Sequence, residues 1–241
     1  MSDPRSKLIV ALDLPDRDSA LKAVGQLSGH VGYFKIGLEL FTSEGPRLVE
    51  EIHGRGEKVF LDLKLHDIPN TVRGAVRSVC RLGVQMLTVH AAGGPAMLAG
   101  AQEEAQASGS PPMLLAVTAL TSLSDRDIQM LGVTGSAEQW VERLAALAQE
   151  SGIPGIVSSS KELPMLRRRF KDALEFVVPG IRPTGAAPQD QSRTATPGQA
   201  IKDGASYIVV GRPILQSADP AAAADLIVKE MSLFRGSISR V

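Results

Sequence analysis

The chain has 241 residues, 44% of them hydrophobic and only 4% aromatic, so a sizeable core must be built mainly from aliphatic side chains. Its 26 basic and 26 acidic residues give a formal net charge of zero, which argues against a dominant basic surface for nucleic acid. A single cysteine excludes an intrachain disulfide, and no apolar run approaches the roughly 18 residues of a membrane span, so we expect a cytoplasmic protein without a membrane partner.

Eight short runs of aliphatic and β-branched residues follow one another along the chain and predict β-strands. They are almost continuously hydrophobic, which is typical of parallel strands that are buried on both faces. They occupy residues 7–13, 32–37, 58–64, 85–90, 113–120, 155–159, 175–180 and 206–211.

Amphipathic segments between these strands predict helices. After the third strand, Val72, Val76 and Val79 recur at helical spacing between Pro69, a common first residue of a helix, and Gly83, a common stop. Further helices are predicted over 18–29, 45–56, 138–152 and, at the end of the chain, about 219–234.

Two other features are interpreted as structural. Cys80 lies on the apolar face of a predicted helix, which favours a packing role over a reactive thiol. The basic run 167–171 is interpreted as the solvated face of a helix rather than as a binding patch.

Eight alternations of strand and helix in a chain of this length predict a (β/α)8 TIM barrel, with residues 1–241 forming a single domain. A doubly wound open sheet is the alternative α/β fold. Two connections, 121–136 and 182–198, are longer than the others. Because long loops in compact domains are often functional, we interpret the second as a lid, with plain surface disorder as the alternative.

The predicted active site lies at the carboxyl ends of the barrel strands, where charged residues follow apolar strand bodies. Asp62 and Lys64 are two residues apart on the third strand, so both point toward the barrel interior together with Phe60. Lys35 lies in the second strand between apolar neighbours, and a charge held in this way must be paired. We expect an alternating array of Lys35, Asp62, Lys64 and Asp67. A purely structural ion-pair network is the alternative.

Three neighbouring residues lie at or beyond the strand ends. Asp67 lies beyond the third strand, in the turn before the helix that Pro69 opens, and is free to project outward. His66 is interpreted as a turn residue, since no second His or Cys stands at a metal-ligand spacing, and no metal site is predicted. His90 at the end of the fourth strand is interpreted as structural rather than catalytic.

The loops after strands seven and eight predict a phosphate site, because barrels of this type often bind phosphate there. Backbone N–H groups near Gly211 can approach an oxyanion closely, and the guanidinium of Arg212 can bind it through two hydrogen bonds. We expect Gln191, in the predicted lid, to be a second partner of the phosphate.

The sequence motifs of this chain resemble those of the orotidine 5′-phosphate decarboxylase family, bacterial type. The resemblance runs from "LIVALD" at 8–13 to "VVGRPI" at 209–214, and its most specific part is "FLDLKLHDIPNTV" at 60–72. One departure is Leu65, where the family is expected to have Phe; the exchange is apolar and leaves the charged residues in place.

The resemblance implies a reaction and a set of catalytic roles. Orotidine 5′-phosphate would be converted to uridine 5′-phosphate and CO2 in pyrimidine synthesis, without a cofactor or metal. Lys64 would deliver the proton to C6, flanked by Asp62 and by Asp67, with Asp67 supplied by the partner subunit of a homodimer. Lys35 would complete the charged array.

The resemblance also implies substrate contacts. Lys35 and Asp13 would lie on the ribose side, and Thr121 would contact the pyrimidine. The remaining predicted substrate-binding residues are Asp62, Thr71 and, around the phosphate, Arg182, Gln191, Gly211 and Arg212.

Two other functions remain open on sequence grounds. A 3-keto-gulonate 6-phosphate decarboxylase has a similar Asp-x-Lys-x-x-Asp pattern but uses Mg²⁺, and places an acidic ligand where this chain has Lys35. A non-catalytic nucleotide-binding barrel would keep the phosphate loops while the charged array decayed, whereas both are present here.

Overall fold

A computed structural model describes residues 3–183 and 195–234. Eight parallel strands form a closed barrel in chain order, β1 through β8, and β8 pairs with β1. The strands are β1 Leu8–Ala11, β2 Tyr33–Gly37, β3 Val59–Leu65, β4 Met86–His90, β5 Met113–Val117, β6 Gly155–Val157, β7 Glu175–Val178 and β8 Tyr207–Val210.

Helices follow the strands and cover the outside of the barrel. They are α1 Arg17–Leu27, α2 Leu38–Glu44, α3 Pro46–His53, α4 Pro69–Cys80, α5 Pro95–Gln106, α6 Asp125–Met130, α7 Ala137–Glu150, α8 Leu163–Phe170, α9 Pro197–Lys202, α10 Arg212–Leu215 and α11 Pro220–Leu233. Among the described residues, no helix is both long and apolar enough to cross a membrane.

The predicted (β/α)8 barrel is therefore confirmed, and the open doubly wound sheet is excluded. Each strand lies within its predicted run except β3, which continues one residue further, to Leu65. The 121–136 connection contains a helix that the sequence pattern did not predict: in α6, Ser124 and Asp127 form a reciprocal capping box, which satisfies free N–H groups of a short first turn.

The core has two parts, one between strands and helices and one inside the barrel. The inner part is small and aliphatic apart from one aromatic ring, and consists of Ile9, Ala11, Phe60, Met86, Leu115, Val177 and Val209. Phe60 belongs to it, whereas its neighbour Leu61 packs in the outer part. The predicted inward orientation of Phe60 is confirmed, and the residues that continue the inward face of β3 reach the carboxyl end of the barrel.

The basic run on α8 is only partly a solvated face. Arg168 and Arg169 are exposed, as predicted. For Arg167 the prediction was wrong: its guanidinium lies 4.5 Å from the ring centre of Phe176, and its Nε donates to the carbonyl of Gly204 at 3.2 Å. A long cationic side chain can bury its stem and stack on an aromatic ring, so Arg167 ties α8 to the barrel.

Cys80 is half-buried and packs against the core, in line with its predicted role.

Candidate active site

A cavity of about 230 Å³ opens at the carboxyl ends of the strands, where a barrel of this class carries its active site. Strands β1–β3 and β5–β8, or the residues that directly follow them, contribute to its wall. Its lower part is apolar and includes Phe60, and its upper part is polar. The predicted site residues that line it are Asp13, Lys35, Asp62, Lys64, Thr121 and Gly211.

Four charged side chains alternate in sign across this cavity. Lys64 Nζ donates to Asp62 Oδ2 at 2.9 Å, and Lys35 Nζ lies 3.4 Å from the same oxygen. Lys35 Nζ is also 3.4 Å from Asp13 Oδ1. The structure therefore brings together three members of the predicted array, Lys35, Asp62 and Lys64, and extends it at the other end with Asp13.

The two ammonium groups of the array keep Asp62 ionised. Burial alone raises the pKa of this carboxyl, but the ammonium groups of Lys35 and Lys64 and the hydrogen bonds from Lys64 and Thr88 outweigh burial, so the pKa lies below its usual value. Asp62 is therefore ionised at neutral pH. The side chain of Lys64 is 32% exposed, against 12% for Lys35, so Lys64 is the more accessible ammonium.

The backbone at Lys64 departs from a regular strand. Lys64 has φ +50°, a left-handed conformation that costs a residue with a Cβ about 1–3 kcal/mol. The pairing of β3 with β4 shifts at the same place: Leu61 pairs with Leu87, but Leu65 pairs with Val89. Such irregularities re-aim a side chain next to active sites, and this one lies directly at the proton-donor candidate.

Thr88 of β4 bridges the strands where the irregularity falls. The main-chain N–H of Lys64 donates to Thr88 Oγ1 at 2.8 Å, and the same hydroxyl donates to Asp62 Oδ1 at 3.0 Å. Sequence reasoning missed this residue, because Thr88 lies inside an apolar run and has the pattern of an ordinary β-branched strand residue.

Two histidines stack beside the array. The rings of His66 and His90 are 5.1 Å apart and inclined by 18°. His90 Nδ1 accepts a hydrogen bond from the N–H of Ala92 at 3.2 Å and so caps the short 3-10 turn Ala91–Gly93. Burial lowers the pKa of His90, and the charges of His66 and Lys64 lower it further, so His90 is neutral at pH 7. These contacts agree with the structural role predicted for His90.

The remaining predicted site residues lie off the cavity wall. Asp67 is exposed, and its Oδ1 accepts from the N–H of its neighbour Ile68 at 2.6 Å; it forms no ion pair within residues 3–183 and 195–234. Thr71 is exposed in the first turn of α4. Arg182 is half-buried, and its main-chain N–H donates to the carbonyl of Ala195 at 2.9 Å.

Arg212 is the first residue of α10 and directly follows Gly211, which lines the cavity. Gln191 lies outside the described residues. The roles of these two residues at the phosphate therefore stay predictions.

The family model described as "Orotidine 5'-phosphate decarboxylase / HUMPS family" matches residues 6–227. The chain belongs to this family. Curated relatives named orotidine 5′-phosphate decarboxylase include one from Saccharophagus degradans, 46% identical over 96% of this chain and 98% of its own length. Another, from Hahella chejuensis, is 48% identical over 93% of this chain and 97% of its own length.

A solved structure agrees with this assignment. The crystal structure of orotidine 5′-phosphate decarboxylase from Lactobacillus acidophilus superposes with a TM-score of 0.84 at 39% identity, covering 92% of this chain and 97% of that one. The predicted family resemblance is therefore confirmed over nearly the whole chain.

Within the family, one local feature bears on the Mg²⁺-dependent alternative. Lys35 Nζ lies between Asp13 and Asp62, 3.4 Å from an oxygen of each. A divalent cation between these carboxylates would meet a fixed ammonium at close range, and like charges at such distances repel strongly. The described part of the chain contains no group of three or more His, Cys, Asp or Glu side chains arranged to hold a metal ion.

Proposed function

We propose that this chain decarboxylates orotidine 5′-phosphate to uridine 5′-phosphate and CO2, with Lys64 as the proton donor. The reaction is the one named for its relatives, which match over nearly their whole length, and it makes the chain a carboxy-lyase of pyrimidine synthesis. The assignment of Lys64 rests on one observation: its ammonium lies on the cavity wall, 2.9 Å from a buried carboxylate.

The reaction explains why charge is concentrated here. Loss of CO2 from orotate leaves a carbanion at an sp² carbon that has no adjacent electron sink. Enzymes reach accelerations of about 10¹⁷-fold, or about 23 kcal/mol, and a barrier of this kind calls on the upper part of that range. An ammonium that already points at the developing carbanion stabilises it without reorganisation and can then protonate it.

Asp62 supports Lys64 through a charge-assisted hydrogen bond. This 2.9 Å contact restricts where the ammonium of Lys64 points. Within one chain, Asp13 and Asp62 offset the ammonium groups of Lys35 and Lys64, so the formal charges of these four side chains sum to zero before the substrate binds.

The exposed segment after β3 supports a shared site. Asp67 and Thr71 are exposed and lie outside the cavity of their own chain, and Ile68, which follows Asp67, is exposed as well. We assign this segment to the subunit interface of a homodimer, with Asp67 and Thr71 reaching the partner's cavity. A two-fold axis makes this exchange reciprocal.

The substrate phosphate is assigned to the loops after β7 and β8. Gly211 lines the cavity on the side of Asp13, and Arg212 follows it directly. Binding energy from the phosphate, remote from the bond that breaks, can be used to hold the reacting carbon against Lys64. Gln191 and Arg182 complete this part of the proposal.

The test is the loss of orotidine 5′-phosphate absorbance with purified wild type and the Lys64→Ala variant. We expect turnover by the wild type and a loss of about a thousandfold or more in the variant. Lys58→Ala is the matched control, because Lys58 is exposed at the opposite end of the same strand region. A folded Lys64→Ala protein with substantial activity would refute the role of Lys64, and an inactive wild type would refute the reaction.

A further inference from the structure

Thr88 stands where β3 and β4 fall out of register. Leu61 pairs with Leu87, and Leu65 pairs with Val89. An advance of four residues along β3 therefore corresponds to an advance of only two residues along β4. Thr88 is the β4 residue between these pairs, and its side chain is fully buried. The main-chain N–H of Lys64 donates here to a side-chain hydroxyl, that of Thr88.

The directions of the two hydrogen bonds are fixed by chemistry. A main-chain N–H only donates, so Thr88 Oγ1 accepts from Lys64. An ionised carboxylate only accepts, so the single hydroxyl proton goes to Asp62 Oδ1. One hydroxyl thereby joins the backbone of Lys64 to the carboxylate that its own ammonium binds.

The two oxygens of Asp62 have separate tasks. Oδ1 accepts from Thr88, whereas Oδ2 accepts from Lys64 Nζ and faces Lys35 Nζ at 3.4 Å. The plane of the carboxylate is held from both sides, which fixes the position of Oδ2. A carboxylate held by Oδ2 alone could rotate about χ2 of Asp62. Lys64 Nζ, which is hydrogen-bonded to Oδ2, would then change its position as well.

We propose that Thr88 is a positioning residue for the decarboxylation, acting through Lys64 and Asp62. It does not line the cavity and has no reach to substrate. Its hydroxyl accepts a hydrogen bond from the left-handed backbone at Lys64 and donates one to the Asp62 carboxylate. These two hydrogen bonds together determine the position of the Lys64 ammonium. This inference rests on the proposed role of Lys64.

The charge environment of Asp62 supplies a second readout. The groups that face this carboxylate are Lys35 from β2, Lys64 from its own strand and Thr88 from β4. The hydrogen bond from Thr88 is among the interactions that lower the pKa of Asp62. Its removal raises that pKa, so activity that depends on ionised Asp62 is lost at a higher pH.

The experiment compares Thr88→Val, Thr88→Ser and Thr118→Val with the wild type, measuring kcat, KM and the pH profile of kcat/KM. Valine keeps the shape of threonine and removes both hydrogen bonds, while serine keeps the hydroxyl. Thr118→Val is the matched control: Thr118 is equally buried one strand away, and its hydroxyl donates to the carbonyl of Val157 at 2.9 Å, away from the charged array.

In Thr88→Val we expect kcat to fall about 10- to 100-fold, the effect of a small misplacement of a reacting group, with KM within about threefold of wild type. The acid limb of its pH profile moves to higher pH. Thr88→Ser retains kcat within about threefold, and Thr118→Val leaves both kcat and the acid limb near wild type. Thr88→Ala replaces Thr88→Val if the valine variant does not fold.

Three outcomes would overturn the proposal: unchanged kcat in Thr88→Val, equal losses in Thr88→Val and Thr118→Val, or equal losses in Thr88→Val and Thr88→Ser. Lys64→Ala, assayed alongside, separates this from failure of the proposed function. An inactive Lys64→Ala with a fully active Thr88→Val refutes only the role of Thr88. An active Lys64→Ala refutes the assignment on which that role depends.

Discussion

Lys64 Nζ and Asp62 Oδ2 are in direct contact at 2.9 Å, although the chain between them leaves the regular path of a strand. The contact is maintained because Thr88 is hydrogen-bonded both to the backbone N–H of Lys64 and to the carboxylate of Asp62. The pair lines the cavity together with apolar residues that include Phe60, Val117 and Val177. A negative charge that forms beside Lys64 therefore meets an ammonium that is already in place.

The shared-site proposal predicts complementation between two inactive variants. Lys64→Ala and Asp67→Asn are expected to be nearly inactive as separate homodimers. In a mixed dimer, the site on the Asp67→Asn chain keeps its own Lys64 and receives an intact Asp67 from the partner. Random mixing makes about half of the dimers mixed, each with one good site of two, so co-expression should restore about a quarter of wild-type activity.

The control for this experiment is co-expression of Lys64→Ala with Asp62→Asn. Both residues line the cavity of their own chain, so every site of a mixed dimer then keeps one defect and no activity should return. If the Lys64→Ala and Asp67→Asn pair behaves like this control, with activity at the average of its two homodimers, Asp67 serves its own chain's site and the trans assignment is wrong.

The phosphate assignment predicts that Arg212 discriminates between substrates. Arg212→Ala should lower kcat/KM for orotidine 5′-phosphate by about 10- to 100-fold, the value of a charge-assisted hydrogen bond, and change it less than about threefold for orotidine without phosphate. Arg168→Ala, an exposed arginine of α8, is the control. Equal losses for both substrates would show that Arg212 serves the fold or the base rather than the phosphate.

The ion pairs of Lys35 predict a reaction that needs no metal. Dialysis against EDTA should leave kcat within experimental error of the untreated protein, because the two carboxylates that a cation would need already share an ammonium at 3.4 Å. Loss of activity on dialysis and recovery with Mg²⁺ would instead favour the chemistry of the Mg²⁺-dependent decarboxylases. Recovery with Zn²⁺ would contradict the prediction equally.

His90 predicts a pH dependence of stability. Because its folded pKa lies below the ordinary value of 6.5, its contribution is complete above about pH 6.5 and is lost as the pH falls from there through the folded pKa. In urea unfolding at fixed protein concentration, His90→Gln should show a shallower fall in the free energy of unfolding between pH 7 and 5. The difference in slope is at most about 1.4 kcal/mol per pH unit. Identical slopes would contradict this.

The sequence predicted much of the fold because its signals are local. Near-continuous apolar runs alternate with helical periods, and a parallel barrel accommodates eight such repeats in 241 residues. The period of two along a strand also placed Asp62 and Lys64 on the inward face.

What the sequence did not predict depends on contacts between distant segments. Lys64 has a positive φ although it is not a glycine, so its residue type does not predict this backbone conformation. It arises where β3 must match the register of β4, 24 residues away at Thr88. The stacking of His66 on His90 and the ion pair of Asp13 with Lys35 are likewise products of closing the barrel.

The central claim is that an ammonium at position 64 stabilises and protonates the carbanion, and it can be tested by rebuilding that group chemically. Lys64→Cys, made in a Cys80→Ser background so that one thiol remains, should be inactive. Alkylation with 2-bromoethylamine converts the introduced thiol into a lysine analogue in which sulfur replaces one methylene. We predict recovery of turnover by at least about a hundredfold, with no recovery when the neutral reagent iodoacetamide is used. Equal activity before and after aminoethylation, in a protein shown by mass to be fully modified, would contradict the account.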